Sequence, residues 1–152
     1  MKEIQSFSHV GINVRSLAKS REFYEKLGFK TLIEDEVTDP TAAKCFGLKE
    51  WRSVRYAMLA LGASPTPTRL DLNEFRDPKY VEGGPQNVLN IGLNRLCFRV
   101  SDIHKVYETL KADGIEFISE PSGAGFLLTI ARDPDGNYIE FFDQNLIPQY
   151  VA

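Results

Sequence analysis

The chain repeats itself at long range. Residues 7 to 29, FSHVGINVRSLAKSREFYEKLGF, and residues 93 to 115, LNRLCFRVSDIHKVYETLKADGI, share one order: an alternating strand, a turn, an amphipathic helix and a glycine stop. A single offset of 86 places Val14 on Val100, Leu17 on Ile103, Lys19 on Lys105, Gly28 on Gly114 and Phe29 on Ile115 without a gap. Such a repeat constrains the fold more than local propensity does, because each copy must build the same supersecondary unit.

In the first helix Leu17, Phe23, Tyr24 and Leu27 form an apolar stripe, Ser16 is placed to cap the N-terminus, and Gly28 can take the left-handed conformation that ends a helix. In the second, Ile103, Val106, Tyr107 and Leu110 form the stripe, Ser101 or Asp102 caps, and Gly114 stops it. Three strand-like runs follow each helix: 29–37, 53–61 and 68–75, then 115–119, 125–132 and 137–143. Asp133-Pro134-Asp135-Gly136-Asn137 has proline and glycine where a tight turn needs them, which predicts a hairpin between the last two runs. The unit is therefore βαβββ, present twice.

Late in the units the offset falls to 69, where RLDLNEF at 69–75 meets YIEFFDQ at 138–144, so the first copy carries 17 extra residues. Within them Asp39-Pro40 and Gly47 bracket a short helix over about 39–48, which either covers an edge of the sheet or lids a binding cavity. Residues 76–92, rich in Pro, Gly, Asn and charge, connect the copies. The expected organisation is one domain over 1–152, with module 1 at 5–75 and module 2 at 93–144, because neither half alone offers enough surface to bury. Gly83-Gly84 and Gly123-Ala124-Gly125 lack the helix and the Lys-Ser/Thr of a phosphate loop and are read as turns.

Composition narrows the partners. A formal charge of -3 gives no overall positive field for nucleic acid or an anionic membrane. Charged and polar residues break up the first fifteen positions, and no run approaches the roughly 18 apolar residues of a spanning helix, so a cytoplasmic protein is expected. Cys45 and Cys97 are too far apart for a thiol metal motif and are read as reduced, small apolar side chains.

Strand alternation sends Val10, Ile12, Val14, Leu70, Leu72, Leu96, Phe98, Val100, Ile139 and Phe141 toward the helices. The other set, Phe7, His9, Gly11, Asn13, Arg69, Asp71, Asn73, Arg95, Cys97, Arg99, Tyr138, Glu140 and Phe142, then faces a cup. The ionisable members Arg69, Asp71, Arg95, Arg99 and Glu140 sum to +1, which favours an anionic, oxygen-rich small molecule, with Phe7, Tyr138 and Phe142 as an apolar wall and Asn13 beside them.

Ser8-His9-Val10-Gly11-Ile12, Arg21-Glu22-Phe23-Tyr24 running into Leu27-Gly28-Phe29, and Asp133 to Asn137 running into Tyr138-Ile139-Glu140-Phe141 resemble the vicinal oxygen chelate superfamily of glyoxalases, bleomycin-resistance proteins and extradiol dioxygenases. The resemblance spans Phe7 to Asp143 and implies an α+β fold of two βαβββ modules forming a cupped, barrel-like sheet of eight strands around a divalent metal. It places His9, Asp71 and Glu140 at metal-ligand positions, and Arg95 where a further ligand is usual. A guanidinium has no lone pair for a metal, and His104, the one other histidine, faces away from the cup on the second helix, so a dioxygenase with two histidines is disfavoured.

Two accounts of the site follow. In one, His9, Asp71 and Glu140 hold Mg²⁺, Mn²⁺, Ni²⁺ or Zn²⁺, Arg95 binds a substrate carboxylate or phosphate with Arg69 and Arg99, and Glu140 or Asp71 moves a proton next to a carbonyl, as a lyase or isomerase does. In the other, Arg95 pairs with a carboxylate and the cup is a metal-free site of the resistance-protein kind. Homodimers are common among proteins resembling this chain, and module-edge strands suit that pairing.

Overall fold

The computed structural model describes residues 6–49, 53–64, 67–84, 86–123 and 127–143. Positions 5, 124–126 and 144 of the expected elements and turns lie outside these residues. Two compact units, Met1–Gly83 and Gly84–Ala152, divide inside the predicted connection, and each builds its own sheet.

In the first unit the order is β1 (His9–Asn13), α1 (Leu17–Lys26), β2 (Phe29–Val37), α2 (Thr41–Cys45), β3 (Ser53–Leu61) and β4 (Arg69–Asp77). The strands lie in the order β1-β4-β3-β2. β1 and β4 pair in parallel, His9 opposite Arg69 and Gly11 opposite Asp71, which the intervening α1 crossover permits. Leu17, Ser20, Phe23 and Tyr24 are the buried face of α1, and Ala57, Leu59, Leu70 and Leu72 are buried on the sheet. Removing such side chains from water supplies roughly 1.5–3 kcal/mol for each large one.

The predicted caps form. Ser16 accepts a hydrogen bond from Lys19 N, and Gly28 follows the C-cap at a φ of 97°. The sequence did not disclose a second clamp: Leu17 N donates to Glu74 Oε2 at 2.7 Å, so β4 holds the first turn of α1. Partial burial opposes the charge on Glu74, but Leu17 N–H, Arg76 and Arg55 outweigh it and hold the carboxyl below its ordinary range.

α2 is shorter than predicted, and Asp39 ties down its start by accepting from the backbone and hydroxyl of Thr41. Ala43 packs on Val54, with Val37, Ala42, Leu48 and Phe75 around them. Val54 opposes Phe75 in a register that also pairs Tyr56 with Asn73 and Met58 with Asp71. Alternation therefore puts α2 on the Asp71 side of the sheet, closing one end of that face.

The second unit holds β5 (Arg95–Val100), α3 (Ile103–Ala112), β6 (Leu128–Arg132) and β7 (Tyr138–Asp143), in the sheet order β5-β7-β6. β5 and β7 are parallel, Arg95 opposite Tyr138 and Cys97 opposite Glu140. Asp102 is the N-cap of α3, accepting from Lys105 N, and Gly114 follows its C-cap. The predicted hairpin joins β6 to β7, and buried Asp133 accepts from the backbones of Asp135 and Asn137 and from Asn137 Nδ2.

One strand falls short of expectation. The run 115–119 makes only an isolated bridge, Phe117 to Ala131, with Ile118 N donating to Ile130 O and Arg132 N to Glu116 O. Pro121 cannot donate to a ladder, and the Ser119 carbonyl is taken by the Thr129 hydroxyl at 2.6 Å. The described residues thus form sheets of four and three strands instead of eight strands. No helix among them is long and apolar enough to cross a membrane.

Glu74→Gln should cost about 1 kcal/mol at neutral pH by weakening the clamp on α1. Because the Glu74 pKa is lowered in the fold, its contribution is present above 4.5 and is lost as pH falls further. Urea unfolding of both proteins should therefore converge in the acid range.

Candidate functional site

Each unit presents one polar sheet face away from its helix. On the first, β1 offers His9, Gly11 and Asn13, and β4 offers Arg69, Asp71 and Asn73. Asp71 is the buried member, 9% exposed. Arg69 Nε lies 3.5 Å from Asp71 Oδ1, and His9 Nε2 lies 3.7 Å from Asp71 Oδ2. Ser8 Oγ sits 3.1 Å and Arg69 Nη2 3.4 Å from His9 Nδ1. The ring thus turns Nδ1 toward Ser8 and Arg69 and Nε2 toward Asp71. Gly11, opposite Asp71, leaves the space beside the carboxylate without a side chain, the nearest atom to a built Cβ being Asn73 Nδ2 at 3.8 Å.

On the second face Glu140 is buried, 6% exposed, and both its oxygens are taken. Arg95 Nε donates to Oε2, and Cys97 Sγ donates to Oε1 at 3.1 Å. Cys97 as a residue is exposed, yet its sulfur is withdrawn far enough from water that burial, followed by the hydrogen bond to Glu140 and its charge, pushes the thiol up to about 12. It therefore stays protonated as a donor.

The remaining predicted residues divide. Arg99 is exposed opposite Phe142, Asn13 is exposed opposite Asn73, and Phe7 is 69% exposed ahead of β1. Tyr138 is not an open aromatic wall: it is buried, its hydroxyl donates to Gln86 O at 2.9 Å, and Arg132 lies 5.0 Å over its ring. His104 is exposed on α3, as expected. Both cysteines are free, as expected, but neither is an apolar core group, and Cys97 is a polar partner of Glu140. Its place beside Glu140 was visible in the repeat, since the offset of 86 pairs Gly11 with Cys97 and the offset of 69 pairs Asp71 with Glu140. Tyr56 and Met58 also lie on the Asp71 face. Alternation along 53–61 predicts them once β3 is known to adjoin β4.

Among the described residues no three His, Cys, Asp or Glu side chains gather into a group able to hold a metal ion. The donors within each unit explain this. Glu140 spends one oxygen on a guanidinium and the other on a thiol, while Asp71 lies near a guanidinium and an imidazole with its Oδ1 left without a hydrogen-bond partner. As arranged, the Glu140 set does not fit a resident divalent ion, because both its oxygens accept hydrogen bonds.

The family model of the Glyoxalase/Bleomycin resistance protein/Dioxygenase superfamily matches residues 6–141. The chain belongs to this superfamily. Among solved structures, a glyoxalase family protein from Bacillus cereus is 24% identical, with a TM-score of 0.82 over 94% of this chain and 97% of that one. The trypanothione-dependent glyoxalase I of Leishmania major is 20% identical, with a TM-score of 0.70 over 96% and 91%. A glyoxylase/bleomycin resistance protein/dioxygenase domain from Frankia sp. is 21% identical, with a TM-score of 0.66 over 93% of each chain. At these identities the likeness is one of fold.

In a Cys45→Ser background Cys97 is the sole thiol. Its alkylation by iodoacetamide at pH 9 should be slow in the native protein and roughly tenfold or more faster after Glu140→Gln, which removes the charge that opposes thiolate formation. Mass spectrometry of timed samples reads the rate.

Proposed function

We propose that the protein binds a small anionic, oxygen-rich molecule on its arginine-bearing faces. The observation that carries this reading is Arg95: buried Glu140 fixes its Nε, while the side chain stays 45% exposed, so its other N–H groups are available to a ligand. A guanidinium oriented in this way matches the two oxygens of a carboxylate or phosphate. Arg69, held beside Asp71, offers a second cation, and Arg99, Asn13 and Phe142 supply further polar and apolar contacts.

Thermal shift and calorimetry with monocarboxylates, dicarboxylates, phosphate monoesters and neutral diols test the reading. An anion at a hundredfold its Kd should raise Tm by roughly 5–10 °C. Diols should do nothing, salt should weaken the effect, and Arg95→Gln should abolish it. A response to diols equal to that of anions sinks the proposal.

A second reading, proton transfer next to a carbonyl by a lyase or isomerase, is favoured by the His9–Asp71 couple. His9 is exposed and Asp71 buried behind it, an arrangement suited to a general base and the group that orients it. His9 or Asp71 would take the proton, an arginine would hold the developing oxyanion, and the proton would return from the same base. Deuterium exchange at the carbon next to the carbonyl, followed by NMR for 2-oxo and 2-hydroxy compounds, detects it. His9→Ala and Asp71→Asn should each slow exchange by roughly a hundredfold or more.

A further inference from the structure

The two units share the same parallel register, so His9, Gly11, Arg69 and Asp71 of the first correspond to Arg95, Cys97, Tyr138 and Glu140 of the second. The carboxylate is kept in both, and so is one guanidinium, but the guanidinium changes strand. In the first unit it comes from β4, as Arg69; in the second it comes from β5, as Arg95. The other carboxylate oxygen lies 3.7 Å from His9 Nε2 in the first unit and accepts from Cys97 Sγ in the second. Both units set a buried carboxylate between a guanidinium and a second polar side chain, but only Glu140 has both oxygens hydrogen-bonded, whereas Asp71 Oδ1 has no hydrogen-bond partner.

We propose that Arg95 takes the place of the divalent ion that the superfamily resemblance implies and closes the second unit to metal. A guanidinium is permanently charged and donates only. It therefore consumes the lone pairs an ion would need and repels the ion itself. The proposal goes beyond the anion-binding reading and does not depend on it, because metal content and anion affinity are measured separately.

The register also supplies the test. His9, in the position equivalent to Arg95, reaches within 3.7 Å of its carboxylate. Arg95→His should thus place an imidazole beside Glu140 and Cys97, making three donors on one face, a set suited to Zn²⁺. Untagged protein purified without chelator is analysed for metal and titrated calorimetrically with Mn²⁺, Ni²⁺ and Zn²⁺. The native protein should carry less than about 0.1 ion per chain, and Arg95→His should bind Zn²⁺ at least about tenfold more tightly. Arg95→Lys, which keeps the cation, should gain nothing, and Cys97→Ala in the Arg95→His background should give back part of the gain. Stoichiometric metal in the native protein that His9→Ala or Glu140→Gln removes overturns the proposal. So does an Arg95→His protein, folded by circular dichroism, whose Zn²⁺ affinity equals that of the native chain. Anion titration of the same samples reports on the ligand reading independently.

Discussion

Parallel pairing of the first strand of each unit with its last is the constraint on which the rest depends. It requires a helix to cross between the strands, which is why α1 and α3 each cover one face and leave the other polar. It also sets a register in which the third residue of β1 and of β5 stands opposite a carboxylate. The paired positions are sixty residues apart in the first unit and forty-three in the second. That difference equals the seventeen-residue insertion, so the extra chain is absorbed between the paired strands without disturbing their alignment.

A buried carboxylate in such a position is costly unless its charge is answered. Asp71 and Glu140 are answered differently, and the difference separates their chemistry. Glu140 is saturated by Arg95 and Cys97, and it fixes a guanidinium that stays 45% exposed. Asp71 is held more loosely, at 3.5 Å from Arg69 and 3.7 Å from His9, beside a position where Gly11 brings no side chain. The second unit fixes an exposed guanidinium on a buried carboxylate, and the first keeps a carboxylate and an imidazole within reach of each other.

Several features of this arrangement were legible in the residues. β2 and β3 have the predicted bounds, Ser16 and Asp102 cap their helices, and Gly28 and Gly114 end them, because these are local rules acting over a few residues. The polar set on the first and last strands also follows from period-two alternation, which needs only the direction of the helix. Other features were not legible. Residues 115–119 have strand composition but lose most of their ladder to competing partners, a contest between segments that sequence periodicity does not register. The clamp of Glu74 on Leu17 joins positions 57 apart in sequence, and no local rule relates them.

By itself the sequence determined that this chain repeats a strand–helix–strand unit twice, that the last strand of each copy carries an inward carboxylate, and that at most one imidazole can serve the site. These follow from repetition, alternation and a count of histidines. Only the tertiary structure decided how the charges are shared: Arg95 belongs to Glu140, Arg69 and His9 belong to Asp71, Cys97 is a donor, and α2 lies on the Asp71 side of its sheet. Such pairings depend on distances of a few ångströms between side chains on neighbouring strands, and those distances exist only once the strands are in register.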